Sequence, residues 1–253
     1  MKLLKDSWLV FTRAVGQTVR NPVWLFVSLA QPIYFLVLFG PLLKRVVDVQ
    51  GFPGGGAFNV FVPGLLIQLA MFGCAFVGFS LIAEMRAGVI ERLQVTPISR
   101  TALLLGRAGR DVASLLVQVV ILVLLAWPFG LHLNVGGIAV AMGLLVLVGT
   151  AFSAVSYTLA LTLKTEDALA PLLNAIAMPM MLLSGILLPL SLAPGWLQAI
   201  GDANPLTYAV DATRSLFNGH LATGDVLWGL VIMTAAAVVA VTVATRRFRR
   251  AAA

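Results

Sequence analysis

The sequence predicts an all-α integral membrane protein: six transmembrane helices with both termini cytoplasmic (N-in/C-in), an N-terminal amphipathic interfacial helix, and short outer re-entrant helices before the last span. Three observations carry this. First, 60% of the 253 residues are hydrophobic and 11% charged, with mean hydropathy +1.00. An ordinary soluble domain is roughly 25% charged, so no soluble fold has an interior large enough for this chain. Second, apolar runs near the ~20 residues needed to cross a bilayer recur at 23–43, 58–83, 112–129, 137–163, 169–190 and 226–245. Third, the basic residues sort by connection. Lys2, Lys5, Arg13 and Arg20, then Arg86, Arg92, Arg100, Arg107 and Arg110, then Lys164, then Arg246, Arg247, Arg249 and Arg250 fall on one side; only Lys44, Arg45 and Arg214 fall on the other. The richer side is cytoplasmic by the positive-inside rule.

No stretch between these runs is long enough for a second core of roughly 50 residues. Residues 1–253 therefore read as one multi-pass membrane domain.

Within 1–22, a 100° helical plot puts Leu4, Trp8, Phe11, Val15 and Val19 on one face and Lys2, Asp6, Arg13, Gln17 and Arg20 opposite. That pattern predicts a helix lying in the membrane interface, apolar side in lipid and basic side toward phosphates. Asn21-Pro22 ends it and turns the chain into the first span. The first apolar run is too long for a signal-peptide core and lacks a small-residue cleavage site after it, so it is expected to stay in the mature protein.

Gly51 to Gly56 reads as an outer loop. The longest cytoplasmic connection, 84–110, begins EMRAGVIERLQVTPISR. Glu84, Arg86, Glu91 and Arg92 mix both signs, Thr96-Pro97 breaks the helix, and Ser99 can cap a new one from Arg100. In the outer segment 191–224, Pro194, Trp196, Leu197 and Ile200 predict one short helix. Asn204 as cap with Pro205 at the first helical position opens a second, whose Leu206, Ala209 or Val210, Thr213, Leu216 and Phe217 recur at helical spacing; these apolar outer helices are expected to dip into the outer leaflet.

Several activities are excluded. The net charge of +7 is spread around hydrophobic runs rather than gathered on a nucleic-acid module, so no nucleic acid is expected as a partner. No phosphate loop occurs; the lysines are Lys2, Lys5, Lys44 and Lys164, and none follows a glycine. His132 and His220 are far apart in outer loops, so no metal site is expected. Cys74 is a lone cysteine and forms no intrachain disulfide. No acid, base or histidine falls in the middle of a span, which argues against an ion-coupled carrier. The polar span residues are mild: Gln68, Ser80, Ser114, Gln118, Thr150, Ser153, Ser156, Tyr157, Asn174 and Ser184, expected to bond between helices. Met178, Met180 and Met181 crowd the fifth span, where packing and an adaptable wall for apolar ligands both fit.

The 84–100 stretch resembles the signature of type-2 ABC exporter permeases, especially the daunorubicin- and other antibiotic-resistance permeases. Their pattern E-x-x-x-G-T-x-E-x-L-x-x-T-P-[hydrophobic]-[S/R]-R is matched by Glu84, Gly88, Glu91, Leu93, Thr96, Pro97, Ile98, Ser99 and Arg100, with Val89 where the family often has threonine. SGILLPL at 184–190 and NPLTYAVDATRSLF at 204–217 are also similar to the family. The resemblance implies a permease subunit of an ATP-driven exporter for a hydrophobic drug, antibiotic or lipid-like substrate. The chain itself would bind no cofactor and hold no catalytic site. ATP and Mg would be used by a separate ABC ATPase, present in two copies, and a second permease, identical or paralogous, would complete the pathway within membrane lipid. Glu84, Gly88, Glu91, Arg92, Leu93, Thr96, Pro97 and Arg100 are then expected to couple to the ATPase, and Gln68, Phe72, Asn174 and Met178 to line the pathway. Two alternatives share the composition: a lipo-oligosaccharide or polysaccharide exporter, for which the three tyrosines and five tryptophans form no stripe, and a non-transporting channel or scaffold subunit, for which no filter motif or charged ring is present. An intramembrane enzyme needs convergent catalytic groups, and the spans offer none.

Overall fold

A computed structural model describes residues 2–20, 23–46, 56–88, 100–132, 134–187 and 189–250. They are mainly helical, with no strand among the described residues. In order the helices are α1 (Lys2–Arg20), α2 (Val23–Val46), α3 (Ala57–Ala75), α4 (Gly78–Arg86), α5 (Arg100–Ala126), α6 (Val135–Leu163), α7 (Glu166–Leu182), α8 (Gly195–Asp202), α9 (Pro205–Phe217) and α10 (Gly224–Arg250), with 3-10 turns at Trp127–Phe129 and Leu190–Leu192. Among the described residues four segments are long and apolar enough to cross a membrane: Ala57–Arg86, Leu105–Phe129, Val135–Leu163 and Gly224–Phe248. Within α2 the described side chains supply a shorter apolar helix, Val27–Leu38, and α7 has 17 residues.

The bundle is organised around α3. Every residue from Ala57 to Met71 is buried, because α3 is packed by α2, α5, α6, α7 and α9 at once. A helix that is apolar all round has no solvent face to offer, and α3 is such a helix. Neighbouring helices alternate in direction, as the contacts at their ends require. Phe58 at the start of α3 packs on Phe129 after the end of α5, ring centroids 6.1 Å apart. Asn59 accepts from the His132 amide at 3.0 Å, just before α6, and Arg86 at the far end of α4 meets Glu166 at the start of α7. One end of the bundle therefore gathers residues 56–60, 129–135 and 204–220, and the other gathers 80–88, 100–111, 157–166 and the end of α10.

Sequence and structure agree on α9: Asn204 Oδ1 accepts from the Leu206 amide at 3.0 Å, with Pro205 opening the helix. Its apolar face is buried against α3, α6 and α10, so protein rather than lipid covers Leu206, Ala209, Val210, Leu216 and Phe217. The face proposed for α1 is divided in the same way. Trp8 is exposed, but Phe11 packs at Gly109, and Val10 and Ala14 also turn toward α5. The cause is Gly106: a Cβ there would stand 2.6 Å from Val10 Cβ and 2.8 Å from the Ser7 carbonyl oxygen. A bare backbone at that position lets α1 lie directly on α5. Leu4 and Val19 have side chains outside the described residues.

Candidate functional site

Of the residues expected to couple to the ATPase, Glu91, Arg92, Leu93, Thr96 and Pro97 fall in 89–99, outside the described residues, and Glu84, Gly88 and Arg100 flank that stretch. Arg100 begins α5 as the sequence predicts, though its side chain is also outside. What the structure describes is the root of that loop. α4 ends at Arg86, and Gly88 follows at φ +67° with its amide bonded to the Met85 carbonyl at 3.1 Å. That left-handed backbone suits glycine and strains other residues.

Glu84 is paired within the chain, to the Arg107 guanidinium. Arg107 is almost wholly buried, whereas Glu84 keeps 28% of its side chain exposed. The helix entering the loop is thus tied to the helix leaving it. Arg86 Nη1 reaches Glu166 Oε1 at 3.3 Å, which ties α4 to the start of α7. That second pair is exposed and contributes little to stability by itself, but its partner is the first residue of another long helix.

One turn beyond Arg107, at the i+4 position that faces the same way, stands Asp111. Its carboxylate is 3% exposed and accepts from Arg110 Nε at 2.9 Å and Nη2 at 2.5 Å. The Tyr157 hydroxyl, from a wholly buried ring on α6, donates to the other carboxylate oxygen. Taking a charge out of water is costly unless it is paired and hydrogen-bonded, and here each requirement is met by a different helix position. In the sequence Asp111 falls between the 84–110 connection and the apolar run 112–129. The sequence signal for its role was the Arg107–Asp111 spacing on a helix together with a tyrosine inside an otherwise apolar span.

At the opposite end Arg214 is buried. Its Nε donates to the Val60 carbonyl at 3.0 Å and Nη2 to the Gly185 carbonyl at 2.6 Å, with Asp211 at 3.6 Å. Burial pushes this guanidinium down to about 10, with Asp211 acting in the opposite direction, so it remains charged at neutral pH. Asn204 Nδ2 donates to the Met180 carbonyl at 2.7 Å, and Thr207 Oγ1 to the Gly201 carbonyl at 2.7 Å. Together these bonds bind α9 to α3 and to the turn after α7. His132 and His220 are exposed.

The four residues expected to line a pathway occupy different environments. Gln68 is 1% exposed inside the bundle, and neither polar atom of its amide has a partner among the described residues. Phe72, one turn on, is half-buried and heads a stack with Phe76 and Phe79, ring centroids 6.1 and 5.8 Å apart. Asn174 and Met178 stand on the exposed side of α7, Asn174 bonding back to the Ala170 carbonyl at 3.0 Å. Of the other polar span residues, Gln118 bonds Ser28 across α5 and α2 at 2.8 Å, and Ser156 and Tyr157 also bond between helices. Ser80, Ser153 and Ser184 bond within their own stretch of chain.

Residues 6–218 match the model of the family described as ABC-2 type transporter. The chain belongs to that family. It is 29% identical over 239 residues to the daunorubicin resistance ABC transporter permease protein DrrB1 of Streptomyces coeruleorubidus, covering 90% of this chain and 80% of the relative. The putative transport permease ycf38 of Pyropia yezoensis is 28% identical over 244 residues, 91% and 84% of the two chains. The probable doxorubicin resistance ABC transporter permease protein DrrC of Mycobacterium tuberculosis is 27% identical over 229 residues, 88% and 80%. Members of this family are transmembrane subunits that associate with an ABC ATPase, and the apolar helices described above fit a multi-pass membrane protein.

Proposed function

We propose that this chain is the transmembrane permease subunit of an ATP-driven exporter that moves a hydrophobic drug, antibiotic or lipid-like substrate out of the cell, in the cytoplasmic membrane of a bacterium. ATP and Mg are used by a separate ABC ATPase, two copies of which serve two permease chains. In this reading α2 and α7 complete a set of six spans, both termini are cytoplasmic, and the end that carries Glu84, Arg107 and Asp111 faces the ATPase. The 204–220 end faces outward.

The observation that carries the proposal is the tethering of the loop root. A loop that only joined two spans would need no fastening. Here the helices on either side of 89–99 are ionically joined, and α4 is joined again to α7. A push on the loop is therefore delivered to α4, α5 and α7 together, which is what a coupling element has to do. Glu91, Arg92, Leu93, Thr96, Pro97 and Arg100 present the docking surface, and Glu84 acts behind it. The half-buried ladder Phe72, Phe76 and Phe79 supplies flat apolar surface for cargo, with Asn174 and Met178 on the exposed face of α7 and the Gln68 amide deeper in. Drug-resistance names among the relatives favour a hydrophobic cargo.

The test is co-expression with an ABC ATPase, purification in nanodiscs, and ATP hydrolysis for the wild type and a Glu91→Ala, Arg92→Ala variant. Co-purification with hydrolysis, lost or uncoupled in the variant, supports the proposal. Absence of ATPase binding, or a variant indistinguishable from wild type, contradicts it.

A further inference from the structure

Between α3 and α4 the second membrane segment is interrupted at Phe76 and Val77. In an unbroken helix the Gly78 amide would bond the Cys74 carbonyl, and the Ala75 carbonyl would accept from Phe79. Neither does so. The Phe79 amide bonds the Phe76 carbonyl at 3.1 Å, and the Ser80 amide bonds the Val77 carbonyl at 3.1 Å, the tighter spacing of a 3-10 turn. The Gly78 N–H and the Ala75 C=O are left over at buried positions, where an unpaired backbone group is costly. Both are taken by one side chain from another helix: Ser156 Oγ of α6 accepts from Gly78 N at 2.9 Å and donates to the Ala75 carbonyl. Ser156 is wholly buried. A side chain inserted into the backbone ladder is a recognised cause of a helix kink, and no proline lies at this break. Gly78 is shaped for the contact, since a Cβ there would meet Ser156 Oγ at 2.7 Å and the Ser156 carbonyl at 2.8 Å.

We infer that Ser156 is a positioning residue that holds this segment broken, so that α4 turns about Phe76–Val77 as a lever separate from α3. The inference rests on the exporter reading for its purpose, because α4 is the element tied by Glu84 and Arg86 to the loop root and to α7. α3 is locked into the core over its whole upper length, so a rigid continuous helix would transmit loop displacement only by shifting the core. A lever pivoting on Ser156 moves α4 and the ends of α5 and α7 tied to it at Arg107 and Glu166, while α3 stays seated. Tyr157, the next residue on α6, holds Asp111 of α5, so pivot and loop root are fixed by adjacent positions of one helix.

The experiment uses two variants of the full chain in nanodiscs. Ser156→Ala removes the hydroxyl; Gly78→Ala crowds it from the other side. Spin labels at Ala83 on α4 and Ala139 on α6, in a Cys74→Ala background, report the lever's position by dipolar spectroscopy without any ATPase. α4 is nine residues, about 13 Å long, so a change in bend of about 20° at its root would move its far end by about 4–5 Å. We expect each variant that folds to show a shift of that size. In the ATPase complex, cargo moved per ATP should fall about five-fold or more while hydrolysis continues. Wild-type distances in both variants would overturn the hinge, and so would shifted distances with an unchanged cargo-to-ATP ratio. Failure of the wild type to bind an ATPase would instead defeat the exporter reading, leaving the distance measurement to decide the hinge.

Discussion

Replacing Asp111 with alanine removes the one carboxylate that Arg110 and Tyr157 share, and leaves a largely buried guanidinium and a buried phenol without their acceptor. The Arg110 side chain is 15% exposed and Asp111 3%, so solvent cannot take over both roles. Breaking a buried pair costs about 3–5 kcal/mol, and the partial exposure of Arg110 places this case near the lower end. For a chain of this size about 3 kcal/mol corresponds to a fall of roughly 6–12 °C in Tm. Tyr157→Phe keeps the ring and loses only the hydroxyl bond to a charged group, about 1.5–3 kcal/mol. The two changes remove the same hydrogen bond, so the double variant should fall short of the summed losses by about 1 kcal/mol or more. Thermal unfolding followed by size-exclusion fluorescence in nanodiscs measures all three. A Tm for Asp111→Ala within 2 °C or so of wild type, or strict additivity with Tyr157→Phe, would refute the reasoning.

Charge reversal tests the loop root: Glu84→Arg or Arg107→Glu alone should reduce cargo-stimulated ATP hydrolysis by about 5- to 30-fold, and the double swap should recover most of it; no recovery would show that the pair itself is not what matters. Gly106→Leu drives a side chain into Val10 and the Ser7 carbonyl and should release α1 from α5 at a cost of about 1–3 kcal/mol, read as new protease cleavage within 2–20; unchanged protection would contradict the packing. Arg214→Lys cannot reach the Val60 and Gly185 carbonyls in the same fork and should lose about 1.5–3 kcal/mol by thermal unfolding, whereas a lysine variant of wild-type stability would show that charge alone suffices there.

The long helices were legible because lipid imposes a strong constraint: every span needs an uninterrupted apolar run, and the basic residues mark its ends. The Asn204-Pro205 helix start was legible for a local reason, since a cap is written in adjacent residues. The polar contacts were not, because they join positions far apart in sequence. Glu84 reads as a partner-facing acid until Arg107, 23 residues on, is seen beside it. Asp111 lies at the edge of the apolar run, and nothing in its neighbours reveals that Tyr157, 46 residues on, bonds its carboxylate. Arg214 looks like one of the few basic residues of an outer loop, yet the carbonyls of Val60 and Gly185 accept from it inside the protein. Ser156 is one of several mild polar residues in the spans, and nothing in its neighbours reveals that it fills a break in another helix. The amphipathic plot of α1 found a real helix whose Trp8 is exposed; it did not reveal that Phe11 of the same face meets Gly109, or that Val10 beside it meets the bare backbone of Gly106, because a plot shows a face and not what covers it.

The central claim is outward transport driven by ATP on a separate subunit. The most direct measurement is the uptake of a fluorescent anthracycline into inside-out vesicles containing this chain and an ABC ATPase, with and without ATP and with a hydrolysis-deficient ATPase. ATP-dependent accumulation that requires both subunits and is weakened by Glu84→Arg is the predicted result. Accumulation independent of ATP, or none with any of a panel of hydrophobic drugs and lipids while the ATPase is bound and turning over, would contradict the account.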